Sequence, residues 1–135
     1  VAYWLLKTDP EEYSWDTFVQ DRRTLWDGVT NPLAQKHLRS MRPGDELVIY
    51  ETGEVRAARG LARVLGLPEP DPADPTGKRV VVPVEVSEEL PRPIPLSALK
   101  NDPIFSDSPV VRQGRLSVVP LTPAQWDRIL WLSRG

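Results

Sequence analysis

The chain has 135 residues, a formal net charge of −2, 40% hydrophobic and 27% charged residues, and no cysteine. A chain of this size folds as one domain, residues 1–135, with a real core and room for one modest pocket. The composition excludes disulfide and thiolate chemistry. With His37 the only histidine, it also excludes a His-rich metal centre, and the acidic balance argues against indiscriminate binding of nucleic acid by a cationic body.

The opening "VAYWLLKTDP" lacks the basic start and long apolar middle of a secretory signal. No apolar run approaches the roughly 20 residues of a membrane span. A cytoplasmic location and no membrane association are expected. "AYWLLK" (2–7) is short, apolar and aromatic and predicts a buried first strand, closed by Asp9-Pro10. Ser14 is placed to cap a helix whose apolar face is Trp15, Phe18 and Val19, with Tyr13 and Phe18 at the spacing of a hydrophobic staple. After "TLWDGVT", Asn31 is a favoured N-cap and Pro32 a favoured first helical residue, so 32–41 predicts an amphipathic helix carrying Ala34, Leu38 and Met41 inward.

"RPGDELVIYE" (42–51) gives a turn and then a strand. "RAARGLARVLG" (56–66) predicts another, with Gly60 a candidate bulge, although Ala, Arg and Leu would also suit a helix. "LPEPDPADPTGK" (67–78) is a surface loop. "RVVVPVEV" (79–86) is strongly β-forming, and Pro83 assigns it to an edge or a bulge. A helical turn follows near 96–101, then a last strand over 115–121. Thr122, Pro123 and Gln125 have the form of a capping box opening a final helix, stapled by Leu121 and Trp126 and facing inward with Trp126, Ile129 and Leu130. The order β-α-α-β-β-β-α-β-α predicts an α+β domain around a curved antiparallel or mixed sheet.

Trp26-Asp27-Gly28 admits two readings. In one, the indole fills the core, the carboxylate caps a turn and the glycine permits a positive φ. In the other, the indole is a stacking surface, the carboxylate accepts from an amino group, and Gly28 lets a planar ligand approach the backbone. Lys7 and Thr8 close the first strand where side chains can face a pocket; Tyr50, Glu51 and Thr52 close another. His37 lies on the margin of its helix stripe and has no nucleophile beside it. Residues 109–135 hold four Lys and Arg against one acid, an excess of +3 in the acidic chain. There Arg112 and Arg115, around Gln113 and Gly114, have the donors to hold a phosphate, or are ordinary solvated charges.

Together, "YWLLKTDPEEYSW", "WDGVTN", "RPGDELVIY" and "VVRQGRLSVVPLT" resemble successive signatures of the EVE domain family, in the family's order and over nearly the whole chain. The resemblance implies a PUA-like fold, a curved barrel-like β-sheet flanked by short helices, related to the YTH and SRA readers. It implies a non-catalytic reader that takes a flipped modified base, a cytosine derivative of DNA or RNA, into an aromatic pocket. Carried over by motif, Lys7, Thr8, Trp26, Asp27, Gly28, Val29, Asn31, Tyr50 and Ser117 would bind the base, and Arg112, Gln113 and Arg115 the phosphates. The partner is then a modified nucleic acid or nucleoside, bound by a monomer with no cofactor and no metal.

Where the family commonly has an arginine, this chain has Thr30, and where it often has His-Ser it has Glu51-Thr52. One positive charge lost and one negative gained near the presumed mouth should weaken phosphate attraction. Two other functions stay open. Lys7, Thr8 and Glu51 superficially match the set with which ASCH-type PUA-like amidohydrolases act on modified nucleosides. A regulatory module for a small metabolite agrees with the isoelectric point of about 5.4.

Overall fold

The computed structural model describes residues 1–135. Seven strands and five helices follow in the order β1 (Tyr3–Thr8), α1 (Trp15–Asp21), β2 (Arg23–Trp26), α2 (Pro32–Ser40), β3 (Glu46–Glu51), β4 (Ala57–Val64), β5 (Glu69–Pro70), β6 (Val80–Pro95), α3 (Leu96–Lys100), α4 (Pro109–Arg112), β7 (Val118–Leu121) and α5 (Pro123–Arg134), with a 3-10 turn at Pro103–Phe105. The strands lie in the order β2-β6-β4-β3-β1-β7, with β5 paired onto β6 outside that path. The β1–β3 pair is parallel and every other pair is antiparallel. The α+β class and the mixed sheet are as expected. The barrel is corrected to an open sheet: β2 and β7 are its two edges and do not pair with each other.

The helix starts follow the sequence closely. Ser14, Asn31 and Thr122 each accept a hydrogen bond from a first-turn N–H, and the Thr122–Gln125 capping box is complete. Such caps satisfy donors that the helix itself leaves orphaned. Tyr13 packs at a tilt against Phe18 with ring centroids 6.0 Å apart, as the staple spacing predicts.

Two strands differ from expectation. β2 has only four residues, too few to show an alternation, and was not predicted; it exists by pairing with Val82–Glu85. β6 is 16 residues long rather than ending at 86, and it is not an edge, because β2 lies on one side and β4 on the other. Its prolines stand where bonding is relaxed. The Pro83 carbonyl accepts from Leu65 just past the end of β4. Pro91 and Pro93 fall in the stretch between Glu89 and Ile94, where β6 bulges away from β4.

Gly60 sits in that irregular region and does two things. The β3–β4 register shifts beside it, leaving Arg59 out of the ladder. Its bare backbone also admits the fully buried Trp15 indole, since a Cβ there would lie 2.1 Å from the ring. The bulge aims Arg59 at Glu51, 2.6 Å away. α1 is thereby locked over the sheet, with its N-terminal approach beside the end of β1.

Candidate functional site

A cavity of about 350 Å³ opens beside the end of β1, which is within the range of small-ligand pockets. β1 contributes Lys7 and Thr8, the approach to α1 contributes Glu12 and Tyr13, β2 and its following loop contribute Thr24 to Val29, and the start of β7 contributes Ser117. The Lys7 N–H donates to the Ser117 carbonyl at 2.8 Å, so β1 fixes where β7 begins.

The 26–29 loop is held from behind. Gln35, buried on α2, donates to the Val29 carbonyl at 2.7 Å and to the Val80 carbonyl at 3.2 Å, and accepts from Val80 N–H at 2.9 Å. Gly28 turns the chain with φ +74°, a conformation that costs glycine little. As a result the N–H groups of Asp27, Gly28 and Val29 donate to no group of the protein. These amides are left available as donors to a ligand.

Trp26 combines the two roles its residue type allows. It lines the cavity but is only 5% exposed, with its ring packed edge-on against Phe18 at 5.9 Å and Tyr13 at 6.3 Å. Most of the indole belongs to the core, and the remainder is wall. Asp27 beside it is exposed, and its carboxylate has no hydrogen bond or ion pair within the chain. Val29 is buried and Ser117 half-buried, the latter with its hydroxyl uncommitted.

Lys7 is the one cation on this wall. Its Nζ donates to the Gly114 carbonyl at 3.0 Å and stands 5.8 Å from the centre of the Tyr50 ring. Burial lowers its pKa below the usual lysine value, because the apolar surroundings solvate the ammonium poorly. The Thr8 hydroxyl donates to the Tyr13 carbonyl at 2.6 Å. The Tyr13 hydroxyl donates to Asp21 at 2.8 Å, and burial, then that carboxylate, raises its pKa.

Seven of the residues named for base binding therefore surround one hollow: Lys7, Thr8, Trp26, Asp27, Gly28, Val29 and Ser117. Two do not. The Asn31 side chain accepts from Ala34 N–H as the α2 cap and lies off the cavity wall. Tyr50 is 3% exposed and faces a separate hollow on the other side of Lys7.

Arg112, Gln113 and Arg115 are exposed and line neither hollow. Arg112 donates to the Ser106 carbonyl at 2.7 Å and pairs with Asp107 at 3.2 Å, while Arg115 has no partner. Glu51 is corrected from the mouth to the interior. It is 2% exposed and accepts from Trp15 N–H at 2.9 Å and Arg59 at 2.6 Å, so its oxygens are engaged away from Lys7. Glu12, Tyr13, Thr24 and Leu25 are wall residues that the sequence did not mark; an unread β2 hid two of them. Gln35 carried no signal beyond being a polar residue on an apolar helix face.

The sequence model of the EVE domain matches residues 2–132. Thymocyte nuclear protein 1 of Mus musculus is 32% identical over 165 residues, covering 96% of this chain and 73% of its own. An NMR structure of a Rhodopseudomonas palustris protein is 34% identical with a TM-score of 0.93, covering 99% of this chain and 94% of that one. The human THYN1 protein, solved in complex with DNA containing 5-methylcytosine, is 25% identical with a TM-score of 0.88, covering 100% and 99%. The PUA-like fold expected from the motifs is the one these neighbours share.

Proposed function

The chain belongs to the EVE domain family, and from that footing we propose that it reads a modified nucleobase, a cytosine derivative, turned out of a nucleic-acid strand into the cavity beside Lys7. The observation that carries this reading is the pairing, on one wall, of the uncommitted Asp27 carboxylate with the free N–H groups of residues 27–29. A cytosine edge presents an amino donor next to acceptors. The carboxylate takes the amine and the amides serve the acceptors. Human THYN1, similar over its full fold, was solved with 5-methylcytosine-containing DNA, which supports the same class of ligand here.

Turning out a base costs a few kcal/mol, less when it is unpaired. Stacking on an aromatic side chain returns about 1–3 kcal/mol. With most of the Trp26 ring covered, the return lies at the low end and the edge contacts decide recognition. An added methyl in an apolar niche is worth about 1–3 kcal/mol, or roughly 10–200-fold. Leu25 and Trp26 offer the apolar surface for it.

The test is titration with matched DNA and RNA oligonucleotides carrying cytosine, 5-methylcytosine or 5-hydroxymethylcytosine, repeated with Asp27→Asn. Selective binding of a modified form is expected. Asp27→Asn weakens it by about tenfold or more, as a hydrogen bond to a charged group contributes about 1.5–3 kcal/mol. Its melting temperature stays unchanged because Asp27 bonds to nothing in the chain. Equal affinity for all three bases, on DNA and on RNA, would reject the reading.

A further inference from the structure

The hollow on the far side of Lys7 has a volume of about 220 Å³ and differs from the base cavity in charge. The base cavity carries Glu12 and Asp27 against Lys7. The second carries Lys7, Arg56 and Lys100, with no acidic residue among those lining it. One carboxylate, Glu54, stands in the shallow depression adjoining its outer end, beside the same Arg56 and Lys100. Both of those cations are exposed, and neither forms an ion pair or a side-chain hydrogen bond with the protein. Cations left unpaired around a concavity raise the local concentration of anions.

Three separated stretches meet here. Lys7 comes from β1, Arg56 from the turn between β3 and β4, and Lys100 from the last residue of α3. The floor is apolar: the buried Tyr50 ring and Val110, with Leu96 beside them. The N–H groups of Gly53 and Gly114, both on the wall, donate to nothing in the chain. Cations and free amides over an apolar floor suit a phosphate joined to a sugar, with the sugar's carbon face on the floor.

We infer that this second hollow is a phosphate subsite, holding the backbone phosphate next to the nucleotide whose base occupies the first cavity, with Lys7 shared between the two compartments. The assignment rests on the base-reading function proposed above for the neighbouring cavity. A phosphate placed in the base cavity would meet two carboxylates on its wall, whereas the wall of the second hollow carries none and Glu54 stands only in the adjoining depression. The nucleotide is therefore split across Lys7, with its base on the Asp27 side and an adjoining phosphate on the Arg56 side.

The experiment compares the intact chain with Arg56→Gln, Lys100→Gln and a Lys36→Gln control, an exposed cation that lines neither hollow and should leave the salt slope unchanged. Ligands are a 5-methylcytosine single-stranded oligonucleotide, its unmodified match, and the nucleoside 5-methyl-2′-deoxycytidine, each over a range of salt. Thermal melts verify folding, which exposed unpaired side chains should not disturb. Arg56→Gln and Lys100→Gln are each expected to lower the slope of log K against log salt by about 0.7 for the oligonucleotides. Nucleoside affinity should stay within twofold. Slopes unchanged in both variants overturn the subsite. If both oligonucleotides bind equally but the slopes fall, the phosphate subsite stands and the base-reading function fails. Absence of binding to both oligonucleotides overturns both.

Discussion

Trp26→Ala separates what the indole does for the fold from what it does for a ligand. The ring is 5% exposed and packs edge-on against Phe18 and Tyr13, so its removal opens a hole between β2 and α1. Burying an aromatic side chain of this size removes about 150–250 Å² from water. Core Trp→Ala changes cost about 3–5 kcal/mol. For 135 residues, an unfolding entropy of about 2.1 cal/mol/K per residue makes that a fall of about 10–18 °C in Tm. Differential scanning calorimetry reads the fall directly, and urea titration reads it as a lower midpoint at an unchanged slope. Ligand affinity of the variant must be measured well below its own Tm. There a loss reports the collapse of the cavity wall, in contrast to Asp27→Asn, which loses affinity with no loss of stability. A fall in Tm below about 5 °C would refute the assignment of Trp26 to the core and return the ring to the ligand.

Gly60→Ala puts a Cβ 2.1 Å from the fully buried Trp15 ring, and overpacking of this kind costs about 1–3 kcal/mol. The expected drop in urea midpoint should be partly recovered by adding Trp15→Phe; independent, additive effects would contradict the contact. Thr122→Ala removes the acceptor for Gln125 N–H and should cost about 0.5–2 kcal/mol, read by thermal melting. Asp74 accepts from Thr76 hydroxyl and from the N–H groups of Thr76, Lys78 and Arg79, and its pKa is lowered to about 2, chiefly by the Thr76 hydroxyl and the Arg79 N–H. A carboxyl depressed in the folded state lends stability that is complete above its unfolded pKa of about 3.9 and lost as pH falls through about 2. The amide resonances of Thr76, Lys78 and Arg79 should shift in that window, and a midpoint near 4 would reject the bonding pattern.

The parts of the fold that were legible in the sequence are those decided within a few residues. Asn31-Pro32 and Thr122-Pro123-x-Gln125 announce helix starts because the cap and the first turn are neighbours in the chain. Gly60 was readable as a bulge, although not for its second use as the seat of Trp15. β2 was not legible because Arg23–Trp26 is a strand only by virtue of β6, some 60 residues later. The second half of β6 was masked by Pro91, Pro93 and Pro95, which look like punctuation. Pro91 and Pro93 are tolerated because pairing with β4 jumps from Glu89 to Ile94, and Pro95 because it is the last residue of the strand. The same logic divides the site. The "WDGV" wall was visible as a cluster of unusual neighbours. Tyr50 and Asn31 belong to the same family motifs yet point to other tasks, which spacing along the chain does not encode.

Charge shows most clearly why regional counting falls short of a surface. The +3 excess over residues 109–135 suggested an anion site there. Arg112 is tied to Asp107 and Arg128 lies 3.6 Å from Asp102, so half of those cations face acids from outside the segment. Thr30 and Glu51, expected to weaken phosphate attraction at the mouth, do not line the cavity, and the Glu51 charge is met inside by Arg59. The cations left unpaired beside Lys7 are Arg56 and Lys100, from stretches that are acidic by count, with 9 Lys and Arg against 10 acids over residues 1–63 and 4 against 8 over residues 64–108. Attraction between a side chain and a phosphate depends on distance and on what else neutralises the charge. Both are set by the meeting of β1, the β3–β4 turn and α3. A chain with this composition can therefore be acidic overall and still present a cationic compartment beside a base-sized hollow.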